Sequence, residues 1–258
     1  PRRLAVLVEN LAGMQPAQQV ERRGPAKAAA YGKDGQPTQA ALGFARSCGV
    51  EFGALETLKT DKGEWLVYRA AQPGRPLAAL LPDFVRDALA ALPIPKRMRW
   101  GSGDAEFVRP VHWLVALYGT EVVPLEVFGI QADNETRGHR FLGEQSLRVT
   151  APADYAALLE TRGKVIADFD RRRDRVRALV EDAAAAAGGR ALVDEALLNE
   201  VTALVEWPSP VVGSFEAHFL DVPREALVAS MQGHQKYFPL ENADGSLQNR
   251  FITIANID

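Results

Sequence analysis

Residues 77–95 read LAALLPDFVRDALAALPIP, and the fold turns on this stretch. Leu77, Leu80, Leu81, Phe84, Val85, Ala88, Leu89 and Leu92 recur at the three- and four-residue steps that put side chains on one face of an α-helix, with Pro82 expected to kink or restart it. Pro93-Ile94-Pro95 then stops the helix, because two prolines remove backbone donors and bar the α conformation before them. The periodicity changes across this linker, so the chain is expected to divide into an N-terminal α/β unit, residues 1–95, and a second α+β unit with a mixed, mostly antiparallel sheet, residues 96–258. At 258 residues two cores are possible.

Upstream of the linker, Leu4–Leu11 reads as a buried strand, 12–19 as a loop and Arg22-Arg23-Gly24-Pro25 as a turn. Pro37 marks a helix start, with Ala41, Phe44 and Ala45 on one face and Gly49 as the stop, and Trp65–Ala70 reads as a strand. Downstream, Val111–Tyr118 and Glu121–Phe128 form a predicted hairpin around Gly119-Thr120, and Pro124 places the second strand at an edge or bulge. Lys164–Phe169 reads as a short strand and Asp170–Ala187 as a helix with Val176, Leu179, Val180 and Ala183 inward. Asp194 is a predicted cap for a helix through Val205 that buries Leu197, Val201, Leu204 and Val205, with Pro208 as its stop. Pro223 opens a further helix that Gly233 ends, and Lys236–Leu240 pairs with Arg250–Ile257 across the turn at 242–246.

The composition, 47% apolar and 24% charged, is that of an ordinary globular protein. No apolar run approaches the roughly 20 residues that span a bilayer, no secretory signal pattern opens the chain, and the lone Cys48 precludes an internal disulfide. Cytoplasmic localisation is the resulting expectation. Strand-like patterns at both ends and the lack of an initiator Met point to a piece of a longer polypeptide. The net charge of −3 is uneven: residues 178–258 hold 4 basic against 12 acidic groups, whereas 96–177 hold 14 against 12. Attraction to a polyanion must therefore come from local patches.

Four separated clusters carry such patches: 97–103 (RMRWGSG), 109–113 (RPVHW), 136–141 (TRGHRF) and 234–238 (HQKYF). Each sets cationic donors beside flat rings, the chemistry that grips phosphates and stacks on bases. Candidate RNA contacts are Arg97, Arg99, Trp100, Arg109, Arg137, His139, Arg140, Phe141, His234, Lys236 and Tyr237. For 136–141 a strand edge whose arginines pair with Asp133, Glu135 and Glu144 is an equal alternative. The interleaved charges of 168–177 read as a salt-bridged, solvated helix face. Gly101-Ser102-Gly103 lacks the Lys-Ser/Thr ending of a P-loop and reads as a tight turn, and no histidine pair has HExxH spacing, so no metal site and no catalytic residue are assigned. His112 is expected to pack within its strand, on the face opposite Trp113.

The run from Met98 to Trp113, Thr136–Phe141, Glu200–Pro208 and His234–Phe238, together with 1–8, 22–25 and 40–50, resembles the beta subunit of the bacterial two-subunit glycyl-tRNA synthetase. The resemblance implies a segment of glycine–tRNA ligase that supports tRNA(Gly) binding and aminoacylation and is inactive alone. It implies an alpha subunit partner in an alpha2beta2 assembly, with glycine, ATP and Mg handled by alpha and no cofactor bound by this fragment. The family's HD-type and anticodon-binding regions are expected to lie outside the chain. The second unit resembles the editing-domain fold of the phenylalanyl-tRNA synthetase beta subunit. Since no amino acid is smaller than glycine, a second hydrolytic sieve has little to reject, and RNA or subunit contact is the expected role. A trans-editing hydrolase, with His139 or His234 as water activator, and an assembly module that never touches RNA are the alternatives.

Overall fold

A computed structural model describes residues 3–32 and 35–257. Over these residues it is α+β, with seven α-helices and several small sheets. The chain divides into two compact units, Asn10–Leu92 and Pro1–Glu9 with Pro93–Asp258. The opening residues thus group with the second unit.

The unit at 10–92 is built from β1 (Gln18–Ala26), α1 (Lys27–Ala30), α2 (Gln39–Ser47), β2 (Glu56–Thr60), β3 (Gly63–Gln72) and α3 (Leu77–Ala91). Its antiparallel sheet has the order β1-β3-β2. In the central strand Arg69 reaches Glu21 on one neighbour at 2.8 Å and Glu56 on the other at 3.0 Å. The Thr38 hydroxyl caps α2 by accepting from the Ala41 N–H, and Ala41 is buried with Ala30 and Leu66 against Phe44. Residues 22–25 are not the expected turn. They continue β1 through a register shift between Arg23 and Ala26, where Pro25 has no N–H to offer a ladder. A Cβ on Gly24 would lie 2.5 Å from the Phe44 ring, so glycine admits that ring against the strand. The helix expected at 77–92 forms, with Pro82 inside it, yet only Leu77 of its apolar stripe is buried and Phe84 is 56% exposed.

The second unit begins with short strands: β4 (Met98–Arg99), β5 (Glu106–Phe107), β6 (Leu114–Val115), β7 (Leu117–Tyr118), β8 (Glu121–Val122), β9 (Glu126–Val127), β10 (Ile130–Asp133), β11 (Glu135–Thr136) and β12 (Leu147–Arg148). β7 and β8 pair around Gly119, whose φ of 60° suits the predicted turn, and Pro124 falls in the break between β8 and β9. Next come α4 (Tyr155–Thr161), α5 (Phe169–Ala186), β13 (Arg190–Ala191), α6 (Glu195–Leu204), β14 (Ser209–Ser214), α7 (Arg224–Ser230), β15 (Phe238–Glu241) and β16 (Leu247–Ala255). The antiparallel sheet β13-β15-β16-β14 packs Phe238, Leu240 and Ile252 against Val176, Val180 and Ala184 of α5 and Leu198 and Val201 of α6. Asp168 and Asp194 cap α5 and α6 through the Arg171 and Leu197 N–H groups.

Several expectations need correction. Leu4–Leu11 is not a buried strand: residues 3–8 form no ladder, and Val6 is 83% exposed. Lys164–Phe169 is not a strand either. Its Val165 and Ile166 are buried in an irregular segment whose Ile166 N–H donates to the Glu206 carbonyl, and Lys164 sits at a left-handed φ of 52°. On α6 Leu198 is buried in place of the expected Leu204, which is 52% exposed. The helix after Pro223 runs past Gly233 as a π turn, Met231–Gln235, and ends at Lys236, a left-handed residue at φ 60° that does not begin the following strand.

Candidate nucleic-acid interface

All eleven candidate residues lie in the second unit. The 136–141 cluster occupies the loop of the β11–β12 hairpin, whose register pairs Thr136 with Leu147. Many polar backbone groups of this loop are hydrogen-bonded. Gly138 N–H donates to the Glu144 carbonyl at 2.8 Å, His139 N–H to the Gly163 carbonyl at 2.6 Å, Gly143 N–H to the His139 carbonyl at 3.0 Å and Glu144 N–H to the Arg162 carbonyl at 3.2 Å. The Gln145 side-chain amide adds bonds to the carbonyls of His139 and Gly143, both 2.9 Å. The loop is thereby fastened to the C-terminal end of α4.

That fastening needs three glycines. A Cβ on Gly143 would sit 1.9 Å from the Gly163 carbonyl oxygen, one on Gly138 2.6 Å from the Glu144 oxygen, and one on Gly163 2.7 Å from the Leu159 oxygen. On the outer side of this junction, Arg162 grips Glu144 with two parallel bonds of 2.8 and 2.5 Å. Arg162 holds the Glu144 carboxyl below its ordinary range, by hydrogen bonding first and by charge second.

His139 is 1% exposed. It is an organiser of the loop and does not reach a ligand surface. Its Nδ1 accepts from the Phe141 and Leu142 N–H groups, both at 3.3 Å, so the neutral ring carries its proton on Nε2. The two N–H groups beyond it are thus tied inward while the side chains of the tip turn outward. Phe141 is 72% exposed, and the Arg140 guanidinium lies over its ring at 5.6 Å.

At the base of the loop Arg137 stands 5.7 Å from the centre of the Trp113 ring, and Arg3 stands 5.6 Å from the same centre. Arg3 also donates to the Arg137 carbonyl at 2.9 Å and to the buried Glu206 carboxylate at 2.6 Å. Burial pulls the Arg3 guanidinium down, but the bond to Glu206 and its charge outweigh this and leave it above its ordinary value. Arg3 is absent from the residues that the sequence pattern nominates. It lies 134 positions from Arg137, and no local motif singles it out.

The other clusters are placed differently. Arg99 is on β4, and Trp100 packs edge-on to Phe128 at 5.8 Å beside Phe107. The 101–103 stretch is a tight turn, with Gly101 at φ 62°. Arg97, Arg99, Arg109 and His112 are exposed, the last contrary to its expected packing. His234 is exposed on the π turn, whereas Lys236 is engaged by the Gly233 carbonyl at 2.8 Å and Glu200 at 2.9 Å. Tyr237 is stacked flat on Phe251 at 4.1 Å. Both side chains are half-buried and engaged within the chain.

The arginines of 171–177 are mostly consumed, as the salt-bridged reading expects. Arg171 pairs with Glu160, and Arg173 and Arg177 with Glu195. Arg172 departs from it: buried, it donates to the carbonyls of Ile166, Ala167 and Thr202. Desolvation depresses its guanidinium below its ordinary value. Among the described residues no group of three or more His, Cys, Asp or Glu is placed to hold a metal ion, and no helix is long and apolar enough to cross a membrane.

The chain belongs to the glycyl-tRNA synthetase beta subunit family, whose pattern it matches over residues 1–258. Among curated relatives, the glycine–tRNA ligase beta subunits of Marinobacter nauticus, Hahella chejuensis and Chromohalobacter salexigens are 52%, 51% and 53% identical to it over the whole chain. The chain spans 37% of the length of each.

Proposed function

We propose that this chain is a segment of glycine–tRNA ligase that helps to hold tRNA(Gly) and does not contain the glycine and ATP site. The observation that carries this reading is the 137–145 loop, whose backbone is fixed internally while Arg140 and Phe141 project from it. A rigid tip with a cation beside a ring binds a ribose-phosphate strand at little cost in freedom. Arg137, resting on Trp113, extends the same surface, and Arg97, Arg99, Trp100, Arg109 and His234 are its further candidate contacts. Family membership supports an alpha subunit partner in an alpha2beta2 enzyme of the cytoplasm, with ATP and Mg bound by alpha. The helix-backed antiparallel sheet of the second unit is compatible with the editing-domain fold of the phenylalanyl-tRNA synthetase beta subunit. The burial of His139, whose Nδ1 accepts two backbone bonds, favours a structural role for it over water activation.

The test is tRNA(Gly) binding by the full two-subunit enzyme across a salt series. Arg137→Ala with Arg140→Ala is expected to weaken binding and to lower the slope of log K against log salt by about one to two, since each phosphate left without its cation removes roughly 0.7–0.9. An unchanged slope and affinity would remove the RNA reading of the loop.

A further inference from the structure

We infer that a cleft between α5 and residues 207–210 receives one unstacked nucleotide of an RNA strand, with its base against Trp207 and its phosphate on Arg175. The inference rests on the RNA reading above and adds to it a second site with its own ligand unit. The cleft has a volume of about 680 Å³, within the range of small-ligand sites. Ile166, Leu179, Trp207, Pro208 and Pro210 give it apolar walls, and Glu160, Arg171 and Arg175 stand at it.

The charges single out one residue. Of the arginines at 171–177, Arg171 is held by Glu160, Arg172 by buried carbonyls, and Arg173 and Arg177 by Glu195. Arg175 alone of the five has no hydrogen-bond or ion-pair partner among the described residues, and it lines the cleft. Glu160, the one carboxylate lining the cleft, is neutralised by Arg171 at 3.0 Å. Lys164, which is not part of the cleft lining, has a left-handed backbone, φ 52°, and holds its ammonium 5.2 Å from the centre of the Trp207 ring. That conformation is unfavourable for a residue with a β-carbon.

An indole flanked by proline and aliphatic surface, with a guanidinium unclaimed by the described residues, matches a nucleobase joined to a phosphate. An acidic peptide would answer the cations and leave the indole wall uncovered. Two short chain connections run from the loop described above towards the cleft. Gly163, which receives the His139 N–H, precedes Lys164, and Glu206, which holds Arg3, precedes Trp207.

The experiment uses the full two-subunit enzyme and tRNA(Gly), with adenosine 5′-monophosphate and inorganic phosphate as competitors. Arg175→Glu and Trp207→Ala are each expected to weaken tRNA binding by roughly tenfold, while Trp207→Phe, which keeps a flat ring and the packing, retains most of the affinity. Adenosine 5′-monophosphate should compete at lower concentration than inorganic phosphate, and Arg175→Glu should abolish the difference. Wild-type binding by folded Arg175→Glu enzyme overturns the inference, as does equal competition by the two small molecules or by a polyglutamate peptide. If Trp207→Ala fails to fold, Arg175→Glu and Trp207→Phe decide. Weakened binding in Arg137→Ala and Arg140→Ala with none in the Arg175 variant leaves the RNA reading standing and removes the cleft; the converse removes the loop and keeps the cleft.

Discussion

Two arginine-bearing stretches of the second unit, 137–141 and 171–177, solve opposite problems. In the loop the backbone is tied down and the side chains of Arg140 and Phe141 are left outside. In α5 the backbone satisfies itself as a helix, and the guanidinium groups of four of its five arginines are spent on carboxylates or buried carbonyls. The α5 stretch is the denser in charge, yet the loop exposes more usable cation and ring. Availability therefore depends on which layer of the chain absorbs the hydrogen bonding, not on how many charges a stretch contains.

The largest expected effect comes from releasing the loop backbone. Gly143→Ala places a methyl group 1.9 Å from the Gly163 oxygen, and a denaturant titration should show a drop of about 3 kcal/mol, the upper range for overpacking. A near-neutral result would mean that the loop is not locked and the contrast with α5 is false. Next is Arg172→Met, which keeps the apolar stem but strands the buried carbonyls of Ile166 and Thr202. The expected cost is about 2 kcal/mol in the same measurement, whereas tRNA binding by folded enzyme should not change.

Substituting the exposed partners should cost little stability. Arg173→Ala breaks a pair whose Glu195 side chain is 58% exposed, so a change under about 1 kcal/mol is expected. Phe141→Ala should move stability by less than about 0.5 kcal/mol while weakening tRNA binding, and a larger thermal shift than binding shift would recast the tip as packing. The smallest effect concerns acid. Because Arg162 lowers the Glu144 carboxyl in the folded state, the contribution of this pair is present above the unfolded carboxylate range and fades as pH falls through the lowered folded value. The protection of the Gly138 and Glu144 amides, relative to their intrinsic exchange rates, should fall at that end of the titration, and Glu144→Gln should remove that fall.

Much of this is legible in the sequence, with instructive failures. Helices α2, α3, α5 and α6 follow from caps and periodicity, but periodicity identifies a shared face without saying what covers it, and the stripe of α3 stays largely uncovered. On α6 a three-residue step from Val201 reaches Leu204 and a four-residue step reaches Val205. The two lie about 100° apart, and packing against β15 and β16 selects the second. Gly24-Pro25 reads as a turn because both residues break ladders, yet a strand accommodates them through a bulge. For the candidate site, the words TRGHRF and RPVHW are visible as chemistry. That His139 faces inward is not, since its partners are backbone groups two and three residues on, and that Arg3 joins Arg137 at Trp113 depends on a long-range meeting no local pattern encodes.

The three close-packed glycines at 138, 143 and 163 have a practical corollary. They confine tolerance for mutation to the outward positions, so the hairpin behaves as a fixed socket in which residues 140 and 141 can be exchanged without rebuilding the mount. A library randomised at those two codons, with the glycines held constant, would sample altered ligand preference on an unaltered scaffold.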